Sequence, residues 1–207
     1  GLQLSATGAQ PLRVPLDAGG AEEQHSVSSL FGANVDGFDQ GDEAADWVSA
    51  VARKPSCRLL RRSERCQRRA AGRHWADIAP LLVVSLASLA ALSESAGRQI
   101  SMDRFRPNVV VASSAEPHVE DTWRAVRIGG VRLEAVGPCA RCNVVEVDQE
   151  SAERDSSFSV YGALVGYRGQ AVFGQYFRPV LQPVRAEDTG KASPLVAAVG
   201  DEVEVLR

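Results

Sequence analysis

Long apolar runs are scarce in this sequence. The two longest, 80–84 and 86–92, are broken by serines, and neither approaches the roughly 20 residues that a membrane-spanning helix needs. No transmembrane segment is therefore expected. The start, Gly1-Leu2-Gln3-Leu4, lacks the basic flank and apolar core of a signal peptide. It also lacks an initiator methionine, so a piece of a longer protein is expected. Cysteine is sparse: Cys57, Cys66, Cys139 and Cys142 are the only four in 207 residues. A disulfide-built secreted scaffold would be shorter and richer in cysteine, so reduced thiols are expected, in a cytosolic or organellar compartment. An excess of one charge sign is also missing. With 23 basic and 26 acidic residues the net charge is −3, which draws the protein neither to nucleic acid nor to anionic membrane. No internal repeat is visible.

What is present has the composition of a folded domain, 44% hydrophobic and 24% charged. The first 16 residues alternate weakly, as one strand would, and a short alternation follows over 27–35. After Gly41, residues Ala44, Val48 and Val51 repeat at helical spacing with Trp47 beside them. Asp42 is the expected N-cap, and Pro55 cannot continue the helix. Cys57-Arg58-Leu59-Leu60 reads as a strand entering an arginine-rich stretch over 61–74, which is either a solvated loop or an anion contact. Leu81-Leu82-Val83-Val84 has the pattern of a buried strand. It ends at Ser85, where a helical run opens and free backbone N–H groups could cap or bind an anion. Beyond residue 100 the pattern is β-rich. Strands are expected at 109–111, 126–128, 131–133, 144–147, 172–177 and near 203–205, with Gly174 at a bend or close backbone approach. Pro107 biases Arg106 towards an extended backbone.

Three short stretches carry chemistry. In Cys139-Ala140-Arg141-Cys142, a Cys-x-x-Cys pair, the thiols could form half a zinc site, a redox dithiol, a soft-metal thiolate or plain core. A zinc site would need two further ligands, and the histidines His25, His74 and His118 are scattered singly. A redox dithiol would want a strand-to-helix turn, whereas strand-like residues follow here. Arg141 between the thiols favours a thiolate and could also grip an anion. Arg104 and Arg106 would share one face if their segment is a strand, and could then clamp a phosphate. The third stretch is Glu120-Asp121-Thr122-Trp123.

The order of the motifs resembles the MOSC superfamily over about residues 10–206. It runs Arg-x-Arg-Pro-Asn-Val-Val from Arg104, Glu-Asp-x-Trp from Glu120, Pro-Cys-x-Arg-Cys from Pro138, Val-Asp at Val147, Phe-Gly-x-Tyr from Phe173 and Val-Gly-Asp-x-Val from Val199. The upstream helix from Gly41 and the serine-punctuated leucine segment 81–89 are similar as well. The resemblance implies a mixed α/β, mainly β fold: a distorted MOSC-type β-barrel with flanking helices. Residues 1–98 would be a partial MOSC-associated N-terminal region and 99–207 the MOSC core.

It also implies function. The nearest branch is the C-terminal domain of molybdenum cofactor sulfurase, which binds molybdopterin in support of cofactor sulfuration. Pyridoxal phosphate belongs to that branch's N-terminal cysteine-desulfurase domain, which is absent here, and a molybdoenzyme would be the acceptor. The alternative branch is the amidoxime-reducing component, a molybdenum-dependent reductase of N-hydroxylated compounds fed by cytochrome b5. A third possibility is a truncated remnant that binds nothing. On the resemblance, Cys142 would ligate molybdenum or carry the sulfur. Ser85, Arg104, Arg106 and Arg141 would hold the phosphate or pterin edge, and Asn108 would offer amide hydrogen bonds. Two departures stand out. Asp148 is followed by Gln149-Glu150 where the family has Thr-Gly, and nothing in residues 1–40 matches the family's upstream Lys-Ser pair and arginine.

Overall fold

Weak alternation in the first 16 residues is resolved as two strands, not one, because Gly8 takes a positive φ of 78° and turns the chain back. The computed structural model describes residues 1–15, 25–30, 33–62, 78–112, 116–180 and 196–206, with the backbone alone at 25–30, 33–36 and 62. Most of the arginine-rich stretch, with Cys66 and His74, lies outside the described residues.

The chain divides into two compact units, Gly1–Asp77 and Ile78–Arg207. In the first, β1 (Leu2–Leu4) and β2 (Leu12–Val14) form an antiparallel hairpin, and β3 (His25–Leu30), β4 (Ala33–Asp39) and β5 (Leu60–Arg62) form a small sheet. Helix α1 (Asp42–Ala52) starts one residue earlier than expected, with Gly41 as its N-cap. Asp42 therefore sits inside the first turn, where its charge suits the helix dipole. The helix buries Ala44 against Leu12 and Val14 and also buries Ala45, while Val51 is exposed. The strand expected at 57–60 begins only at Leu60. Before it, Arg58 is drawn away to Asp39 and Asp42, both at 2.6 Å.

The second unit is built on a curled six-stranded half-barrel. Its strands are β6 (Leu81–Ser85), β7 (Val109–Val111), β8 (Ala125–Ile128), β9 (Val131–Ala140), β10 (Val172–Pro179) and β11 (Val203–Leu206), in the order β11-β8-β9-β10-β6-β7. Only β6 and β7 run parallel, with Val83 opposite Val109. Both faces of β6 are buried, which explains the uninterrupted run at 81–84. Val84 points into one cluster with Phe105, Leu92, Leu164 and Phe173, and Val83 into the other with Trp123, Val126 and Phe177. Helices α2 (Leu86–Ser95) and α3 (Val160–Arg168) contribute Leu92 and Leu164 to the first cluster.

Strand β6 and helix α2 thus belong to the same compact unit as the rest of the sheet. The two compact units meet in sequence at 77/78. The fold is mixed α/β, mainly β and barrel-like, as the motifs implied.

Two expectations about local structure are corrected. Residues 143–146 form a 3-10 turn, not a strand. Residues 102–105 are also a 3-10 turn, closed at Arg106 in a left-handed conformation (φ 51°, ψ 49°), not an extended one. The Arg106 N–H donates to Asp103 O at 3.0 Å, and closing that turn outweighs the extended bias imposed by Pro107.

Candidate functional site

Strand β9 carries Cys139 inward and then ends, so the two thiols meet different surroundings. Cys139 is 1% exposed and packs in the cluster with Phe105 and Phe173. Cys142, at the mouth of the 143–146 turn, is exposed. Between them, Arg141 is anchored through carbonyl oxygens. Its Nε and Nη2 donate to Phe173 O at 3.0 and 2.8 Å, and its Nη1 donates to Phe105 O at 3.0 Å. The guanidinium lies 5.4 Å from the Phe105 ring centroid. Burial pushes its pKa down, opposed by Cys139, Tyr176 and Cys142 nearby. Among the described residues no carboxylate pairs with it, so its field is available to the neighbouring thiols. Three of its five N–H donors are used internally.

The turn after Cys142 is held from both sides. Arg104 Nη1 donates to Val145 O at 3.3 Å and to Glu146 O at 3.0 Å, and its Nη2 meets Asp148 Oδ2 at 3.3 Å. Arg104 and Arg106 do not form the expected one-faced clamp, because a 3-10 turn and not a strand carries them. The Arg106 side chain is exposed and makes no hydrogen bond or ion pair among the described residues. Burial pushes the Glu146 carboxyl up, but donors from Ser159, Val160 and Tyr161 outweigh it and hold the pKa below the ordinary range. Asp148 is likewise lowered, chiefly by the Ser151 N–H and hydroxyl.

Ser85 is the N-cap of α2, as expected, and its Oγ accepts from Ser88 N at 3.1 Å. It is also wholly buried. Ser88 donates its hydroxyl to Glu120 Oε1 at 2.6 Å, so the 2.7 Å contact between the two serines must be a donation from Ser85. The Ser85 N–H also reaches Glu120 Oε1, at 3.2 Å. The anion at this helix start is the protein's own glutamate. Asn108 ties the start of β7 to β6: its Oδ1 accepts from Leu82 N at 2.8 Å and its N–H donates to Leu82 O at 2.9 Å, while its side-chain NH2 has no partner among the described residues.

The candidates therefore separate. Among the described residues, the Cys142 thiol, the Arg106 guanidinium and the Asn108 side-chain NH2 have no partner. Ser85, Arg104 and Arg141 are engaged inside the protein. Sequence reasoning missed Ser88 and Glu146 and singled out the Glu120 stretch without giving Glu120 a role; all three depend on contacts 13 to 35 positions away. Ser88 could have been suspected from its place three residues after a serine N-cap. Glu146 left no local signal. Among the described residues no group of three or more His, Cys, Asp or Glu is placed to hold a metal ion by itself. Two surface cavities of about 720 and 710 Å³ lie against β8, β9 and β11 and against β7 and β11, and neither is lined by Cys142, Arg106 or Asn108. Among the described residues no helix is long and apolar enough to cross a membrane.

Comparison with known proteins places these features in a family. The MOSC domain profile matches residues 70–204. Mitochondrial amidoxime-reducing component 1 of Mus musculus is 34% identical over 176 residues, covering 72% of this chain and 49% of that protein. Mitochondrial amidoxime reducing component 2 of Rattus norvegicus is 29% identical over 85% of this chain and 58% of its own length. Molybdenum cofactor sulfurase of Danio rerio is 31% identical over 74% of this chain and 21% of its own length. The chain thus spans about half the length of the amidoxime-reducing components it matches and about a fifth of that sulfurase.

Proposed function

Since this chain belongs to the MOSC domain family, we propose that it binds the molybdenum cofactor through the exposed thiol of Cys142. The observation that carries this reading is the contrast within Cys-x-x-Cys. Cys139 is sealed in the core, while Cys142 faces out beside a guanidinium that no described carboxylate neutralises. A thiolate is a soft ligand, suited to a molybdenum–sulfur centre. Arg106 would meet the phosphate, since its side chain is exposed and unpaired. Its left-handed backbone costs about 1–2 kcal/mol, a strain of the kind found at ligand clamps. The free amide NH2 of Asn108 would donate to the pterin edge, and Arg141 would act on the thiolate by its charge. Ser85 does not fit direct contact, being buried with its hydroxyl engaged. When bound, the cofactor supplies a redox-active metal with exchangeable oxygen or sulfur ligands.

The role we favour is support of cofactor sulfuration, with this chain as the C-terminal part of a sulfurase. A cysteine-desulfurase domain carrying pyridoxal phosphate would be its sulfur source and a molybdoenzyme its acceptor. The names of the sulfurase relatives and the Gly137-Pro138-Cys139 stretch support it. The second reading, a reductase of N-hydroxylated compounds, is favoured by Phe173-Gly174-Gln175-Tyr176-Phe177 and by the 34% identity to an amidoxime-reducing component. Either reading places the chain where Cys142 stays reduced, in the cytoplasm or in mitochondria.

The test is cofactor loading. The chain and its Cys142→Ala and Cys139→Ala variants are incubated with released molybdenum cofactor, and molybdenum and pterin are measured per protein. Near-stoichiometric pterin, with molybdenum weakened only in Cys142→Ala, supports the proposal. Absence of pterin from all three rejects it and leaves a non-binding remnant. With the loaded chain, sulfur transfer to a desulfo-molybdoenzyme favours the sulfurase role. Turnover of an N-hydroxylated substrate with reduced cytochrome b5 favours the reductase.

A further inference from the structure

We propose that Arg104 and Glu146 are positioning residues that fix the Cys142 turn from opposite sides, and that neither touches a ligand. The inference rests on the reading of Cys142 as a ligand. It reassigns Arg104, which the sequence placed among the phosphate contacts.

Cys142 is the residue from which the 143–146 turn departs, and its carbonyl accepts the Val145 N–H at 3.3 Å. Its thiol is exposed and makes no hydrogen bond among the described residues. The thiol is therefore placed only as well as the backbone that carries it, and a metal ligand must be held to within a fraction of an ångström. Three features hold that backbone. Val145 is 2% exposed and pins the middle of the turn in the core. Arg104 grips the far end from the 102–105 turn, bridging the carbonyls of Val145 and Glu146 and the Asp148 carboxylate. Glu146 grips it from the other side. Its Oε1 accepts from Ser159 Oγ at 2.7 Å and Tyr161 N at 3.0 Å, and its Oε2 accepts from Val160 N at 2.9 Å.

These last bonds satisfy the free N–H groups at the start of α3, so the cysteine turn and a nine-residue helix are tied by one carboxylate. Three of the five N–H donors of Arg104 are already committed inside the protein. Among the described residues, the Arg106 side chain, two residues on, has none committed. Lysine at 104 would keep the charge but lose the planar fork that spans two carbonyls and a carboxylate.

The test uses Arg104→Lys, Glu146→Gln and the double variant in the whole chain. The first readout needs no cofactor: the alkylation rate of Cys142 by iodoacetamide, resolved from the other cysteines by peptide mass. The second is molybdenum and pterin per protein after loading. Each single variant is expected to speed Cys142 alkylation about fivefold as the turn opens, with Cys139 still protected. Each should lower bound molybdenum while retaining pterin. The double variant should be little worse than either single one, since both loosen the same turn. Ser159→Ala removes one bond to Glu146 without changing charge, and it replaces either single variant if that one fails to fold.

Unchanged alkylation in the single variants overturns the proposal. So does loss of pterin in Arg104→Lys with none in Glu146→Gln, which would make Arg104 a phosphate contact. If no protein loads pterin but the alkylation coupling holds, the cofactor reading fails and the positioning role stands.

Discussion

The Ser88 hydroxyl reaches Glu120 Oε1 at 2.6 Å across 32 positions of sequence. With the Ser85 N–H on the same oxygen, this contact seats a wholly buried carboxylate at the positive end of α2. A helix start of this kind attracts an anion, and here the protein supplies its own. Glu120 Oε2 is buried without a hydrogen-bond partner among the described residues, so the arrangement depends on Oε1 alone.

Glu120→Ala should therefore destabilise the fold by about 3 kcal/mol, since it strands the Ser85 N–H and the Ser88 hydroxyl in the core. Glu120→Gln keeps the accepting oxygen and should cost about 1 kcal/mol. Urea denaturation of the two variants measures the difference, and equal losses would show that the charge, not the acceptor, matters.

Two glycines should respond with opposite signs. Gly174 in β10 has φ +79°, and a Cβ there would lie 2.6 Å from Val84 Cγ2 and 2.8 Å from Val83 O. Gly174→Ala should cost about 3 kcal/mol from strain and overpacking. Gly166 lies inside α3 with nothing within 4 Å of its would-be Cβ, so Gly166→Ala should stabilise by about 0.7 kcal/mol. Thermal midpoints of the two variants check both signs.

The thiols should separate by exposure. In the folded chain Cys142 should alkylate about 100-fold faster than Cys139, which becomes reactive only when the core opens. Peptide mass mapping with and without denaturant reads this directly. Rapid native labelling of Cys139 would contradict its placement in the core.

Stability should fall as the medium is acidified, in two separable stages. Arg168 Nη1 lies 3.1 Å from His118 Nδ1, and arginine can only donate, so that ring nitrogen accepts and the imidazole is neutral. Burial and then the Arg168 charge push the His118 pKa below its ordinary 6.5, against the pull of Glu120 and Asp121. The unfolded chain therefore takes up a proton before the folded one does. His118's contribution is complete above pH 6.5 and is lost as pH falls from there through the lower folded value. Glu146, also lowered in the fold, adds its loss only below its ordinary 4.5. Urea midpoints measured from pH 7.5 down to 3.5 should decline throughout. His118→Gln should flatten the upper part of the curve and Glu146→Gln the lower.

Local pattern was enough for some elements. The run at 81–84 announces a strand buried on both faces, and Ser85 announces a helix start. Gly174 announces a close approach, which the 2.6 Å clearance to Val84 bears out. Helix α3 was missed although Ser159 and Gly169 cap it and Val160 and Leu164 share its buried side. Nine residues give too few turns for the period to stand out from a polar loop. The 102–105 and 143–146 turns escaped for a different reason. Arg104 links them, and a contact 41 to 44 positions apart leaves no trace in either segment.

Sequence alone determined the class of the fold, the motif order that marks a MOSC domain and the cysteine pair, because these rest on residue type and near-neighbour spacing. Tertiary structure decided which thiol is offered and which arginine is free. A register shift in the pairing of β10 with β9 between Val172 and Gln175, which puts one extra residue on β10, sends Phe173 and Phe177 into opposite clusters although four positions separate them. That choice of side puts the Phe173 carbonyl under Arg141, and only the packing of distant segments could make it.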